Sequence, residues 1–307
     1  MRLFKGEIMI YSTSESTIDF SKMESIPECN DKFPVVCYEY DLYFRTEPWH
    51  WHDEFEATII EEGEAILKLE GEEYTLRKGE GYLINSEVLH SLISNDRTHC
   101  KICSMVFRKN FIGGVPESVF WEKYIFPVTE KRDFYGWVLK SSIEWQNEIL
   151  QMIKKVFELF KNETEDYEIE SREILSRLLS VTIKRLPSSN KNKNNTKQNS
   201  IHKIKVMLLY IWQNYSNSIT LSDIAKAGAT GKNDCMLCFA KSVGMSPIQY
   251  LKNYRLEKAA EYLTYTERKI SEISELCGFQ DKSYFSKSFR QKYGQKPFEY
   301  RKASRIK

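Results

Sequence analysis

Two stretches in the last third of this chain repeat each other. ITLSDIAKAGATGKNDCMLCFAKSVGMSPIQYL begins at Ile219 and KISEISELCGFQDKSYFSKSFRQKYGQKPFEYR at Lys269. Phe239 matches Phe289, Gly244 matches Gly294, Pro247 matches Pro297 and Tyr250 matches Tyr300, all at an offset of 50. Upstream, Ile224 matches Ile273 at an offset of 49, so the second copy carries one more residue in its turn. Each copy reads as a short helix, a tight turn, a longer helix and a Gly-x-x-Pro corner. That is helix-turn-helix architecture, its second helix sized for a major groove. In the second copy Gly278 supplies a permissive turn, Phe279 plugs the junction and Asp281 stands where a helix N-cap belongs. Phe285 and Phe289 then face inward, which leaves Lys282, Ser283, Tyr284, Ser286, Lys287 and Arg290 on the outer faces. Polar and basic groups there suit phosphates and base edges.

Charge is segregated in the same sense. From Ile201 to Lys307, 19 Lys and Arg stand against 9 Asp and Glu, although the whole chain is only +2. A basic end on an acidic body fits a polyanionic partner, because cationic side chains neutralise phosphates and release counterions. A merely solvated basic surface is the plainer explanation of charge alone.

The stretch GFQDKSYFSKSFRQKYGQKPFEYRK closely resembles the second helix-turn-helix of AraC/XylS-type transcription regulators. GMSPIQYLKNYRLEKAAEYL, leading into a long connecting helix, resembles the rest of that domain, so the likeness covers about residues 201–303. The resemblance implies a two-motif unit whose recognition helices enter successive major grooves of promoter DNA. It also implies a homodimer, a small-molecule effector (a sugar at family level) and contact with RNA polymerase, as for an activator. The first copy departs from the family pattern. Gly231 and Leu237 stand where Ser and Arg are usual, Thr230 fills the apolar turn slot, and Ala240 replaces a lysine. Its outward positions are Lys232, Asn233, Asp234, Met236 and Leu237, with one cation among them. The second copy should therefore dominate affinity. The first should contribute weakly, or read its half-site through Asn233 and apolar contacts.

The N-terminal part has another grammar. Residues 35–108 read as short strands separated by turns: Glu56–Ile60, Ala65–Leu69, Tyr74–Leu76 and Tyr82–Ile84, with glycines at 63, 71, 79 and 81. Such spacing suggests a sandwich or small barrel. Within it, His50-Trp-His52-Asp-Glu-Phe-Glu56, Gly63 seven residues on, and the later Gly79, Gly81, Asn85 and His90 resemble the two cupin motifs. His50, His52 and Glu56 alternate along one strand, so period two points all three to one face, where His90 from a neighbouring hairpin can join them. Three readings stay open for that set. They are lining for an organic effector, with Trp49 and Trp51 as aromatic walls; a metal site, since metal cupins bind ions with three histidines and a carboxylate; and structural histidine. The effector reading is preferred, with neither metal nor cofactor called for.

Residues 143–186 place Ile149, Ile153 and Phe157, then Leu175, Leu178 and Leu179, at helical spacing on either side of the polar run Lys161–Glu168. A helical hairpin results, its stripe serving either a dimer interface or packing on the chain's own barrel. Pro187–Ser200, PSSNKNKNNTKQNS, has no apolar residue after its proline and reads as a flexible linker. The expected fold is thus α+β with two domains: a cupin-like β-barrel sensor (1–142) with the hairpin (143–186), a linker (187–200), and an all-α domain (201–307) holding motifs at about 219–243 and 269–293.

No apolar run is long enough to span a bilayer, and the seven cysteines show no disulfide framework, so a reduced, cytoplasmic protein is expected. Cys100–Cys103 and Cys235–Cys238 fall in different domains and read as buried apolar cysteines, not zinc ligands. No phosphate-binding glycine loop or nucleophile elbow is present, so no enzyme is expected. The rival is a cupin-type metal enzyme with an appended DNA-binding domain.

Overall fold

The computed structural model describes residues 2–5, 8–11, 29, 33–43, 47–69, 71–95, 98–131, 134–187 and 194–305. The chain divides into two compact units, Met1–Asn194 and Asn195–Lys307.

Among the described residues the first unit has eleven strands: β1 (Arg2–Lys5), β2 (Ile8–Tyr11), β3 (Val35–Asp41), β4 (Glu47–His50), β5 (Phe55–Glu62), β6 (Glu64–Leu69), β7 (Glu72–Arg77), β8 (Gly81–Ile84), β9 (His90–Ser94), β10 (Lys101–Phe107) and β11 (Gly136–Leu139). They form a seven-stranded sheet, β1-β2-β3-β10-β5-β8-β11, and a four-stranded sheet, β4-β9-β6-β7. Every pairing is antiparallel. Neither sheet closes on itself, so the expected barrel is two facing sheets.

Strand alternation divides the seven-stranded sheet between two cores. On β5, Phe55, Ala57 and Ile59 point outward with Cys103, Met105 and Phe107 of β10. On the inner side Ile60, Tyr82, Ile84, Ile102 and Val106 meet Ala65, Leu67 and Leu92 of the other sheet. Gly63 joins β5 to β6 at φ +82°, and a Cβ there would stand 2.3 Å from the His99 carbonyl oxygen. Only glycine fits such a position.

Between β10 and β11 the chain forms α1 (Lys109–Gly113), then a π-helical turn (Trp121–Ile125) running into α2 (Phe126–Thr129). The hairpin follows as α3 (Glu144–Asn162) and α4 (Tyr167–Lys184). Its stripe is spent within the chain: Ile149, Ile153, Phe157 and Leu178 are buried in the core against the outer face of β3, β5 and β10. Those residues are therefore not a free dimer surface, and of the two uses expected for the stripe the structure shows packing on its own sheet.

The second unit is helical: α5 (Asn194–Asn214), α6 (Leu221–Ala227), α7 (Lys232–Ser242), α8 (Pro247–Tyr265), α9 (Ile270–Leu276), α10 (Lys282–Tyr293) and α11 (Pro297–Arg305). The expected linker is shorter than its composition suggests. Its residues 188–193 lie outside the described residues, and α5 takes up the chain from Asn194. Ile204, Met207, Leu208 and Ile211 bury the apolar side of α5, and α8 buries Tyr250, Leu251, Tyr254, Leu256 and Leu263. Arg255 on α8 ties the end of α5 down, its Nε donating to the Tyr215 carbonyl at 2.7 Å and its Nη2 to that of Asn217 at 2.7 Å.

Candidate effector site and DNA-contacting helices

A polar cluster lies between the sheets, at the residues singled out by sequence. Ligand atoms of His50, His52, Glu56 and His90 all lie within 4.8 Å of one another. The expected single strand does not carry them. His50 ends β4 in the four-stranded sheet, opposite His90 on β9. His52 lies in the connection that crosses to β5, and Glu56 projects from β5 in the seven-stranded sheet. The set thus links both sheets. Trp49 and Trp51 are buried, and alternation on β4 sends the Trp49 ring to the other side of the strand from His50.

Glu56 is the hub. Its Oε2 lies 3.0 Å from Nε2 of both His52 and His90. Its Oε1 accepts from the Tyr82 hydroxyl at 2.6 Å, Thr58 at 3.1 Å and Ser104 at 3.3 Å. Tyr82, Thr58 and Ser104 were not among the expected site residues. Their only signal was a polar side chain at an inward position of a strand otherwise filled with apolar residues. Burial drives the Glu56 acid up, but the charges and hydrogen bonds of His90 and His52 overcome it and hold Glu56 well below the usual carboxylate range. Burial lowers His52, yet its hydrogen bond to Glu56 and the Glu56 and Glu54 charges leave it raised. Burial and the neighbouring His90 push His50 well below the usual imidazole value. Glu47 Oε2 and Glu54 Oε2 are buried with no hydrogen-bond partner among the described residues.

The backbone fixes the imidazoles. Nδ1 of His50 lies 2.8 Å from the Pro48 carbonyl oxygen, that of His52 3.1 Å from Glu54 O, and that of His90 2.8 Å from Val88 O. A carbonyl can only accept, so each Nδ1 carries the proton. A neutral ring then presents a bare lone pair at Nε2. Two such nitrogens facing one carboxylate oxygen at 3.0 Å need either extra protons or a cation between them.

In the helical unit the two motifs superimpose in kind but differ in detail. Thr230 N donates to Ala225 O at 3.0 Å, and Phe279 N to Ser274 O at 3.0 Å, closing equivalent turns. The left-handed residue is Ala229 (φ +46°) in the first copy and Gly278 (φ +75°) in the second. The additional residue of the second copy is Gln280, between the plug Phe279 and the cap Asp281. Asp281 Oδ1 accepts from Ser283 N at 2.7 Å and Tyr284 N at 2.8 Å, the cap expected from sequence. Gly231 starts α7 with no side-chain cap, and Thr230 leaves its hydroxyl buried without a hydrogen-bond partner among the described residues, where Phe279 packs in the other copy.

Phe285 and Phe289 are buried, while Lys282, Ser283, Tyr284, Lys287 and Arg290 are exposed and Ser286 is half-buried. A shallow groove beside α10 is lined by Ser286, Lys287, Arg290, Gln291, Gly294 and Lys296. On α7, Cys235 and Phe239 are buried and Lys232, Asn233, Asp234, Met236 and Leu237 are exposed. The cysteine pairs stay apart from this chemistry. All seven cysteines are free, and burial pushes the Cys100 thiol up to about 12 and the Cys235 thiol up to about 11.

Two family models match this architecture: an AraC-like ligand-binding domain over residues 33–179 and a helix-turn-helix domain over residues 224–303. The chain belongs to the AraC family of transcription regulators. Among AraC-family relatives, an uncharacterised HTH-type transcriptional regulator, YdeC of Bacillus subtilis, is 28% identical over 276 residues, covering 88% of this chain and 92% of its own. The HTH-type transcriptional activator RhaS of Klebsiella pneumoniae is 23% identical over 262 residues, covering 83% and 87%. Among solved structures, apo ToxT from Vibrio cholerae aligns over 87% of this chain and 96% of its own at 17% identity and a TM-score of 0.46. The C-terminal domain of the response regulator yesN from Fusobacterium nucleatum aligns over 32% and 96%, at 31% identity and a TM-score of 0.31. The protein is a DNA-binding transcription regulator of the AraC family with a ligand-binding N-terminal unit. Among the described residues no helix is long and apolar enough to cross a membrane.

Proposed function

We propose that this regulator acts as an activator in which a ligand held between the two sheets governs how a homodimer presents α7 and α10 to promoter DNA, and thence RNA polymerase. On this reading the protein is not an enzyme, and its α10 carries most of the DNA affinity. The observation that supports it is the unequal chemistry of two equivalent helices. The exposed face of α10 offers Lys282, Lys287 and Arg290 around its centre, whereas α7 offers Lys232 beside Asp234 at its start and Lys241 in its last turn, with apolar Leu237 at the centre. Lys287→Ala is expected to weaken binding of the full chain to promoter DNA about tenfold, as for loss of one good groove contact. Asn233→Ala should cost less. Gel-shift titrations giving the reverse order would overturn the assignment of the stronger helix.

A second reading of the sensor is favoured by the tautomers. Three Nδ1–H groups held by backbone carbonyls, with three Nε2 atoms and a carboxylate converging, are the ligand set and outer-shell arrangement of a divalent transition-metal site. A sugar would have to compete with hydrogen bonds that Glu56, Thr58, Tyr82 and Ser104 already make to one another. His50, His52, Glu56 and His90 would hold the ion and contribute one negative charge against its two. Binding would displace the proton that otherwise separates His52 from Glu56.

A further inference from the structure

The two recognition helices place different chemistry at the same point. Half a helical turn from the buried Cys235 and Phe239, the centre of the exposed face of α7 is Leu237, flanked by Asn233 one turn before and by Ala240 and Lys241 after. The corresponding centre of α10, opposite Phe285 and Phe289, is Lys287, flanked by Ser283 and Arg290. Leu237 is 56% exposed and Met236 is 39% exposed, so both side chains present apolar surface outside the core. Two apolar side chains on the outer face of a helix in a helix-turn-helix match, at positions where the sister helix carries Ser286 and Lys287, have one obvious apolar target in DNA. That target is the thymine C5-methyl, the only apolar group a base edge shows in the major groove. The neighbouring groups agree. Asn233 has the paired donor and acceptor that fit adenine, and Asp234 disfavours close approach to phosphate.

We propose that Leu237, with Met236, reads thymine methyl groups in the half-site of α7, so that the two helices recognise chemically different half-sites. This rests on the reading of α7 as a DNA-contacting helix. The half-site of α7 is then A·T-weighted and its recognition depends less on salt than that of α10. That of α10 carries the cationic contacts and most of the salt dependence.

The test uses the full-length protein and a pool of randomised DNA duplexes. After selection, each thymine of the winning duplex is replaced singly by 2′-deoxyuridine, which removes the methyl and keeps the base pair. At one or two thymines confined to one half-site, the loss of one buried methyl should lower affinity about fourfold. In Leu237→Ala that uracil sensitivity should vanish, and in Leu237→Met it should persist, with melting curves of both variants unchanged because the side chain is exposed. Uracil tolerated at every position overturns the proposal, as does sensitivity that survives in Leu237→Ala. Leu237→Ala binding DNA as well as the parent shows that the leucine faces something else, such as a protein partner, and also overturns it. Selection of no sequence at all overturns the DNA-contact reading beneath it.

Discussion

Gly278→Ala is expected to destabilise the DNA-binding unit by about 3 kcal/mol, enough to lower the melting point of a unit of this size by roughly 15 °C. Two effects add. Gly278 sits at φ +75°, where an alanine costs about 1 kcal/mol of backbone strain. Its added Cβ would also stand 2.6 Å from the Tyr215 carbonyl oxygen, 2.9 Å from that of Ser216 and 3.0 Å from Arg255 Nε. None of these can retreat cheaply, because Arg255 holds the Tyr215 carbonyl and so fastens α5 to α8. The first motif provides the internal control. Ala229 occupies the matching left-handed turn at φ +46° and is exposed there, so strain alone is tolerated. Ala229→Gly should accordingly change stability by less than about 1 kcal/mol. Calorimetry on the full chain separates the cases, and a Gly278→Ala variant melting with the parent would show that α5 and α8 are not braced through this turn.

Glu56→Ala should have the largest effect on the sensor. It removes the one carboxylate facing two buried histidines, and breaking such a pair costs about 3–5 kcal/mol in the metal-free protein. The pH dependence identifies the cause. Glu56 titrates well below its ordinary value, so its stabilisation is complete above about pH 4.3 and is lost as pH falls through that depressed value. His52 is raised, so its stabilisation is complete below about pH 6.5 and fades as pH climbs through its higher folded value. His50, half-buried and held neutral, adds a loss of stability below about pH 6.5. In chelator, the parent sensor should therefore weaken as pH rises past neutrality. Glu56→Ala, in which only Glu54 still opposes the effect of burial on His52, should decline less. On protein purified without a histidine tag, metal analysis should find a divalent ion in the parent and none in Glu56→Ala or His52→Ala. A metal-free parent with no alkaline decline would leave the cluster as structural histidine.

The repeat was legible because its spacing and its turn residues point to one backbone. Gly278, Phe279, Asp281 and Phe289 each have a single use in a helix-turn-helix, and each is found in that use. The histidine set was legible as a composition but not as a geometry. His50, His52 and Glu56 fit a period of two, yet the chain leaves β4 at His50 and crosses to the other sheet before Glu56. The alternation therefore reports two strands in succession, not one face. Tyr82, Thr58 and Ser104 escaped notice because they stand on three different strands and only strand pairing brings them together. Thr58 is opposite Tyr82 on β8 and Ser104 on β10. The start of α5 was hidden for a different reason. Asn194–Ser200 has no apolar residue, so periodicity is silent there, while the helix is anchored further on by Ile204, Met207 and Leu208.

The central claim is that two similar units near the carboxyl end offer their exposed helices to specific DNA. The most direct measurement is the affinity of the full-length protein for the duplex it selects from a random pool, against scrambled duplex of equal length and at the same salt. A preference of about a thousandfold or more, typical of specific regulators, is the predicted result. Equal affinity for both duplexes, even at low salt, would contradict it.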